Sequence, residues 1–352
     1  MSHDAVLVLS FGGPEGPDDV LPFLRNVTRG RGVPDERLAE VAEQYDLFGG
    51  RSPINDQCRE LVALLGSEFA ANGIDLPVYW GNRNWHPMVE DTVATMTADG
   101  VRNALVFVTS AFGTYSGCRQ YREDLARAAA AVGDDAPALT KLRLFYNHPG
   151  FIEPLGANLA NALAADGVDP LAGSTHVVFT AHSIPNSMAA GCDYESQLAE
   201  AARLVLTAAG VADAPHDVVF QSRSGPPQVP WLEPDVNDHL HHLAQAGTPH
   251  VTVVPVGFVS DHMEVMFDLD TQAAATAADL GLGYRRVSTT GNHPQFVSMI
   301  RELVLERMDG ATPVALGAQG VWPTPCPPDH CPAPQRPGRP PTATGASQQR
   351  PR

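Results

Sequence analysis

Short apolar, β-branched runs alternate with stretches of helical periodicity along almost the whole chain. The runs Ala5–Phe11, Pro77–Gly81, Ala104–Ala111, Leu142–Asn147, His176–Ala181, Val218–Ser222, Val251–Phe258 and Tyr284–Val287 read as strands. Between them, Asn55–Ala71, Met88–Ala98, Arg119–Val132, Tyr194–Ala209, Val236–Ala246 and Pro294–Met308 carry the spacing of amphipathic helices. Strands that are apolar on both faces belong in parallel sheets covered by helices on each side. Eight of them fit two doubly wound units better than one sheet. The expected fold class is α/β, with two Rossmann-like doubly wound domains and a cleft between them. The N-terminal unit is expected over 3–160, completed by a C-terminal helix within 290–310, and the second over 161–289. In such folds the ligand lies beyond the carboxyl ends of the strands, so residues just after each strand matter most.

After Val321 the pattern stops. Ten of the last thirty residues are proline, and Gly, Ser, Thr, Gln and Arg supply most of the rest. Such a stretch cannot bury a core, so 322–352 is expected to be a disordered extension.

Composition narrows the function classes. The 352 residues are 43% hydrophobic, enough for a sizeable core, and the net charge is −17. The tail from Trp322 holds four Arg and one Asp, so residues 1–321 carry −20. A surface this acidic repels phosphate backbones and anionic headgroups, which argues against nucleic acid and suits a cationic substrate such as a metal ion. No run approaches the ~20 apolar residues of a membrane span. The N-terminus, MSHDAVLVLSFGGPEGP, has neither a basic region before its apolar stretch nor a cleavage site, so a cytoplasmic protein is expected. A monomer is expected as well. Five cysteines, at 58, 118, 192, 326 and 331, argue against a disulfide framework.

Two segments after strands hold the candidate chemistry. In VVFTAHSIPNSMAAGCDY (Val177–Tyr194), His182 sits just past a strand and Pro185 stops that strand from continuing. A histidine there, taken alone, is more often structural than catalytic. In VTVVPVGFVSDHMEVMFDLD (Val251–Asp270), Asp261, Glu264 and Asp268 fall at i, i+3 and i+7, one acidic stripe if the segment is helical. An ordinary charged helix would make that a solvated face. Directly after an apolar strand, however, crowded and partly desolvated carboxylates attract a divalent cation.

Thr180–Pro185 (TAHSIP) followed by Gly191–Tyr194 (GCDY) resembles the signature of the ferrochelatase family. Val254–Glu264 (VPVGFVSDHME) resembles that family's second active-site motif. Ser10–Pro14, Phe48–Ile54 and Gln221–Asp235 fit the same pattern, in order, and the match runs from about Ala5 to Met308. The resemblance implies a chelatase fold and an enzyme that inserts Fe²⁺, its substrate, into a porphyrin with release of two protons. The ring must be bent, its inner nitrogens deprotonated, and iron stripped of water. An imidazole can accept a proton near neutral pH or ligate iron, and the resemblance gives His182 one or both tasks. It implies that Glu264 faces His182 across the macrocycle as ligand or proton relay, and that Asp268 extends the acidic track. Where many members continue that track with Glu, this chain has Gln272.

For the porphyrin itself, the resemblance points to Arg29 and Arg31 as propionate contacts and to Tyr45, Ser52 and Thr114 against the ring or its carboxylates. Phe11 stands where one bacterial branch has a Tyr ligand, and Gln44 where that branch has Arg. Trp231 reads as a packing residue. Coproporphyrin III is the expected substrate, with protoporphyrin IX the alternative. The rival readings are a cobalt or nickel chelatase acting on a corrin precursor, and a non-catalytic porphyrin or haem carrier. Some family members hold a [2Fe–2S] cluster on one internal and three C-terminal cysteines. Here Cys326 and Cys331 keep a C-x₄-C pair, while Thr324 and Pro154 stand at the other two positions. The pair therefore reads as a cluster remnant or weak metal site. Four thiolates are needed, so an intact cluster is not expected unless Cys58, Cys118 or His330 moves in. Cys58 and Cys118 read most simply as buried thiols.

Overall fold

The computed structural model describes residues 3–327 and 329–333. Among them, two parallel four-stranded sheets form. The first contains β1 (Ala5–Ser10), β2 (Val78–Asn82), β3 (Asn103–Val108) and β4 (Ala138–Lys141), in the order β2-β1-β3-β4. The second contains β5 (His176–His182), β6 (His216–Gln221), β7 (His250–Val254) and β8 (Gly283–Arg286), in the order β6-β5-β7-β8. The helices of the first half are α1 (Pro17–Val27), α2 (Asp35–Asp46), α3 (Ile54–Ala71), α4 (Val89–Ala98), α5 (Gln120–Val132) and α6 (Pro149–Asp166). Those of the second half are α7 (Asn186–Ala189), α8 (Tyr194–Ala208), α9 (Val236–Gln245), α10 (Met263–Val265), α11 (Ala274–Asp279) and α12 (Pro294–Met308). Wider π-helical turns cover Tyr115–Arg119 and Met266–Ala273.

The apolar runs became strands because both faces of each sheet are covered. Leu7, Leu9, Val106 and Val108 pack outward on α4 and α5, while Val178, Val219, Val251 and Val253 pack outward on α9 and the turns after α10. The inward faces share one core, in which Val8 and Phe107 of one sheet and Phe179 and Val254 of the other join α6, α8 and α12. Each such side chain contributes roughly 1.5–3 kcal/mol by leaving water.

Three expectations change. Leu142–Asn147 is not a strand; the strand is Ala138–Lys141, and Leu144, Phe145 and Tyr146 are buried in the loop after it. Arg143 turns that loop inward by pairing with Glu306 of α12 at 2.8 Å and donating to the Val314 carbonyl at 2.8 Å. Helix α6 fills the Gly- and Pro-containing stretch where the two units are expected to divide. The division at 160/161 falls inside α6, a helix that packs on both α8 and α12 and is shared between the units. Finally, the start of the Pro-rich tail is packed rather than disordered. Trp322 and Cys326 lie against the shared core, and the Cys331 N–H donates to the Gly191 carbonyl at 3.2 Å. The remainder of that tail, 334–352, lies outside the described residues. No described helix is long and apolar enough to cross a membrane.

Candidate active site

His182 is the last residue of β5, paired in register with Gln221 at the end of β6. Its neighbours leave it little freedom. The Ser183 N–H donates to the Gln221 carbonyl at 2.8 Å, the Ser183 hydroxyl to the Leu232 carbonyl at 2.8 Å, and the Tyr194 hydroxyl to the His182 carbonyl at 3.1 Å. The ring Nδ1 contacts the Ser183 carbonyl. A carbonyl only accepts, so Nδ1 carries the hydrogen and the lone pair of the neutral ring is on Nε2. That Nε2 stands 4.0 Å from Glu264 Oε1, with both side chains part-exposed at 34% and 44%.

Glu264 lies in the one-turn helix α10, after β7. The Glu264 N–H donates to His262 Nδ1 at 3.2 Å, so His262 caps the turn with an unprotonated nitrogen. Burial holds His262 below the ordinary imidazole value, against the pull of Glu264. The chain then widens into the π-helical turn carrying Asp268, a departure that often marks functional sites. Burial pushes Asp268 up to about 6; the Glu264 charge adds to the rise, while hydrogen bonds from Ser222 and Gln221 oppose it. The Ser222 hydroxyl donates to Asp268 Oδ2, and Gln221 Nε2 donates to the same oxygen at 3.3 Å. Ser222 has φ of 60°, a left-handed conformation unusual for a residue with a side chain. A strain of about 1–3 kcal/mol is thus held where the hydroxyl meets Asp268.

The expected three-carboxylate stripe is reduced to two. Asp261 precedes α10 and pairs with Arg286 at 2.7 Å, with the Thr289 N–H donating at 3.3 Å. Its charge is already matched. The arrangement of His182 and Glu264 across a macrocycle is also corrected. A flat ring between them needs about 3.5 Å on each face, roughly 7 Å in all, and the gap is 4.0 Å. The two groups lie side by side at the strand ends of the second sheet.

The first unit supplies the facing surface. Tyr45 of α2 is raised by burial and further by the Glu264 charge, which places the phenol within electrostatic reach of the site. Burial also raises Tyr121, with Glu264 again among the contributors. Tyr45 belongs to an aromatic wall in which Phe23 meets Phe11, Tyr45 and Trp85 edge-on at 6.1–6.3 Å between ring centres. Gln57 of α3 donates to the Asp261 carbonyl at 3.5 Å, and Asn292 to the Gln57 carbonyl at 3.2 Å, tying the units together beside the cleft.

The other expected contacts are less direct. Ser52 is buried against Gly13 and pairs its N–H with the Pro14 carbonyl at 2.9 Å. Thr114 Oγ1 accepts from the Gly117 N–H at 2.7 Å and so caps the first π-helical turn. Both hydroxyls serve the walls. Arg29 and Arg31 are exposed on the loop after α1, where Gly30 and Gly32 adopt φ of +73° and +68°. Three supports went unassigned in the sequence: Gln221, Ser222 and Tyr194. Each falls inside a recognised motif at or just after the end of a strand, which was their only signal.

The model of the Ferrochelatase family matches residues 3–308. The chain belongs to the ferrochelatase family. A coproporphyrin III ferrochelatase of Nocardia farcinica is 56% identical over 330 residues, spanning 91% of this chain and 92% of that one. A ferrochelatase of Rhodopirellula baltica is 52% identical over 345 residues, 97% of both chains. Among solved structures, SirB from Bacillus subtilis with Fe³⁺ superposes with a TM-score of 0.53 at 14% identity, covering 88% of this chain and 98% of that one. That likeness shows the chelatase fold. Within this ferrochelatase framework, a further group lies at the opposite, amino-terminal edge of the second sheet. There the Nε2 atoms of His176 and His239 stand 2.8 and 3.1 Å from Asp217 Oδ2.

Proposed function

We propose that this protein inserts ferrous iron into coproporphyrin III, releasing two protons. The observation that carries the reading is an imidazole Nε2 with its lone pair free beside a part-exposed carboxylate, both at the carboxyl ends of neighbouring strands of the second sheet. Each pyrrole N–H bond breaks, its electron pair becomes an Fe–N bond, and the proton needs an acceptor. His182 Nε2 takes it, with Glu264 alongside. Asp268, titrating at about 6, exchanges protons readily near neutrality and passes them outward. The same nitrogen and carboxylate donors suit Fe²⁺ on its way to the ring. Tyr45, Phe11, Phe23 and Trp85 offer the ring an apolar face, and Arg29 and Arg31 offer charge to its carboxylates.

The names of the relatives support coproporphyrin III over protoporphyrin IX, as do two exposed arginines for a ring with more carboxylates. The test is anaerobic insertion of Fe²⁺ into each porphyrin, followed by absorbance. Faster turnover of coproporphyrin III is expected. Equal or faster use of protoporphyrin IX would overturn the substrate choice, and tight binding of both without insertion would favour the carrier reading.

A further inference from the structure

At the end of β5 opposite His182, three side chains of metal-ligand type come together. His176 opens β5, Asp217 is the second residue of β6, and His239 is the fourth residue of α9. In the parallel pairing of β5 with β6, Val178 stands opposite Asp217. Side chains alternate along a strand, so His176 shares a face with Val178 and hence with Asp217. On that face Val178 and Val219 meet Val236 and Leu240 of α9, and the helix delivers His239 onto it. The Nε2 atoms of His176 and His239 lie 2.8 and 3.1 Å from one carboxylate oxygen, Oδ2 of Asp217. One ligand atom from each residue lies within 4.8 Å of the other two.

We propose that His176, Asp217 and His239 form a site for a divalent transition-metal ion of the zinc type, which clamps α9 to the outer strand β6 and its neighbour β5. Two imidazole nitrogens and a carboxylate oxygen are a donor set that such a borderline cation favours. Tetrahedral bonds of about 2.0–2.1 Å hold ligand atoms about 3.4 Å apart. The two spacings to Oδ2 therefore need to widen by only roughly 0.3–0.6 Å to seat an ion. Three protein ligands leave a fourth position, which opens to solvent beside Asp217, whose side chain is 47% exposed.

An ion pair without a metal accounts for only part of this arrangement. His176 Nε2 makes a hydrogen bond to Oδ2. His239 Nε2 is close to the same oxygen but out of hydrogen-bond geometry with it, and among the described residues it is buried with no other partner. His239 is only 9% exposed, so that nitrogen is aimed into the cluster and away from water. A cation between the three takes a lone pair from each and removes the cost of a buried, unpaired group. Six residue steps along β5, at about 3.3 Å each, put the site roughly 20 Å from His182. It shares no ligand with the catalytic pair at that distance, and its work is mechanical. At the far end of β6, Gln221 and Ser222 hold Asp268. Fastening β6 to α9 steadies the strand that positions this carboxylate.

The test uses full-length protein carrying His182→Ala and Glu264→Gln, so that the catalytic pair does not compete for metal. After chelator treatment it is titrated with Zn²⁺ alone by calorimetry, and thermal unfolding is followed with and without the ion. Adding Asp217→Asn or His176→Gln should lower the zinc stoichiometry by about one ion per chain and reduce the zinc-induced rise in Tm. Asp217 is exposed enough for its amide to be tolerated, and circular dichroism in chelator should match the parent. His241→Gln, on the exposed side of α9, should bind as the parent does. Equal zinc uptake in the parent and in Asp217→Asn would overturn the site and leave an ion pair only. Zinc lost from both variants with no change in the Tm response would overturn the clamp. Both catalytic side chains are absent throughout, so neither result bears on the assignment at His182.

Discussion

His182 Nε2 stands 4.0 Å from Glu264 Oε1, while His182 Nδ1 is committed to the Ser183 carbonyl. One nitrogen is spent on orientation and the other is left for chemistry. The carboxylate beside it comes from a different strand end, so the pair exists only because β5 and β7 are neighbours in the sheet. That division of labour makes the two side chains separable by mutation.

His182→Ala should lower the insertion rate by about 10²–10⁴-fold, the ordinary worth of a positioned proton acceptor. Glu264→Gln should act in the same direction. Porphyrin binding, read by fluorescence quenching, should stay within a few-fold in both. Retention of wild-type turnover in His182→Ala would remove the residue from the mechanism.

Asp268 titrates at about 6 because burial outweighs the help of Ser222 and Gln221. Ser222→Ala removes a donor to the charged form, so the value rises further and the acidic limb of the kcat/KM profile should move to higher pH. An unchanged limb would show that Asp268 does not govern it.

Stability carries the opposite sign. A carboxyl raised in the folded state above its unfolded value of about 3.9 binds more protons when folded, so stability declines as pH climbs from about 4 to about 6. Asp268→Asn abolishes that penalty. Thermal unfolding should show the variant gaining on wild type at pH 7 relative to pH 4, while its insertion rate falls.

Arg143 and Glu306 are paired with side chains only 2% and 9% exposed. Removing the carboxylate strands a buried guanidinium, so Glu306→Ala should cost about 3–5 kcal/mol in denaturant unfolding. Replacing both residues by leucine should recover much of the loss. A loss below ~1 kcal/mol in Glu306→Ala would mean that water reaches the site.

Arg29→Ala and Arg31→Ala, on an exposed loop, should each raise KM for coproporphyrin III by up to about five-fold with kcat unchanged, the size of an exposed ion pair. The effect should fade with added salt. A change in kcat instead would place the loop nearer the chemistry than its exposure suggests.

The strands that frame the site were legible because parallel, doubly covered strands leave a local mark. Ala5–Ser10 is apolar at five of six positions and buried at all six, so burial and pattern coincide. His182 was legible for the same reason, standing where such a run stops. Helix α6 was not. Pro149, Gly150, Pro154 and Gly156 give it the composition of a linker, yet Pro149 fits its first turn, and a Cβ on Gly156 would meet Ala208 at 2.5 Å. The glycine is there so that two helices can touch, which is a property of the partner as much as of the helix.

By itself the chain's residue pattern determined the α/β architecture, the strand ends that matter, and the ferrochelatase motifs with their histidine and carboxylate. Only the tertiary structure decided that Asp261 belongs to Arg286, that His182 and Glu264 stand side by side, and that the start of the tail folds back. The physical reason is range. Hydrophobic periodicity records what a residue needs within a few positions, whereas these pairings join residues on different elements whose meeting depends on which faces pack together.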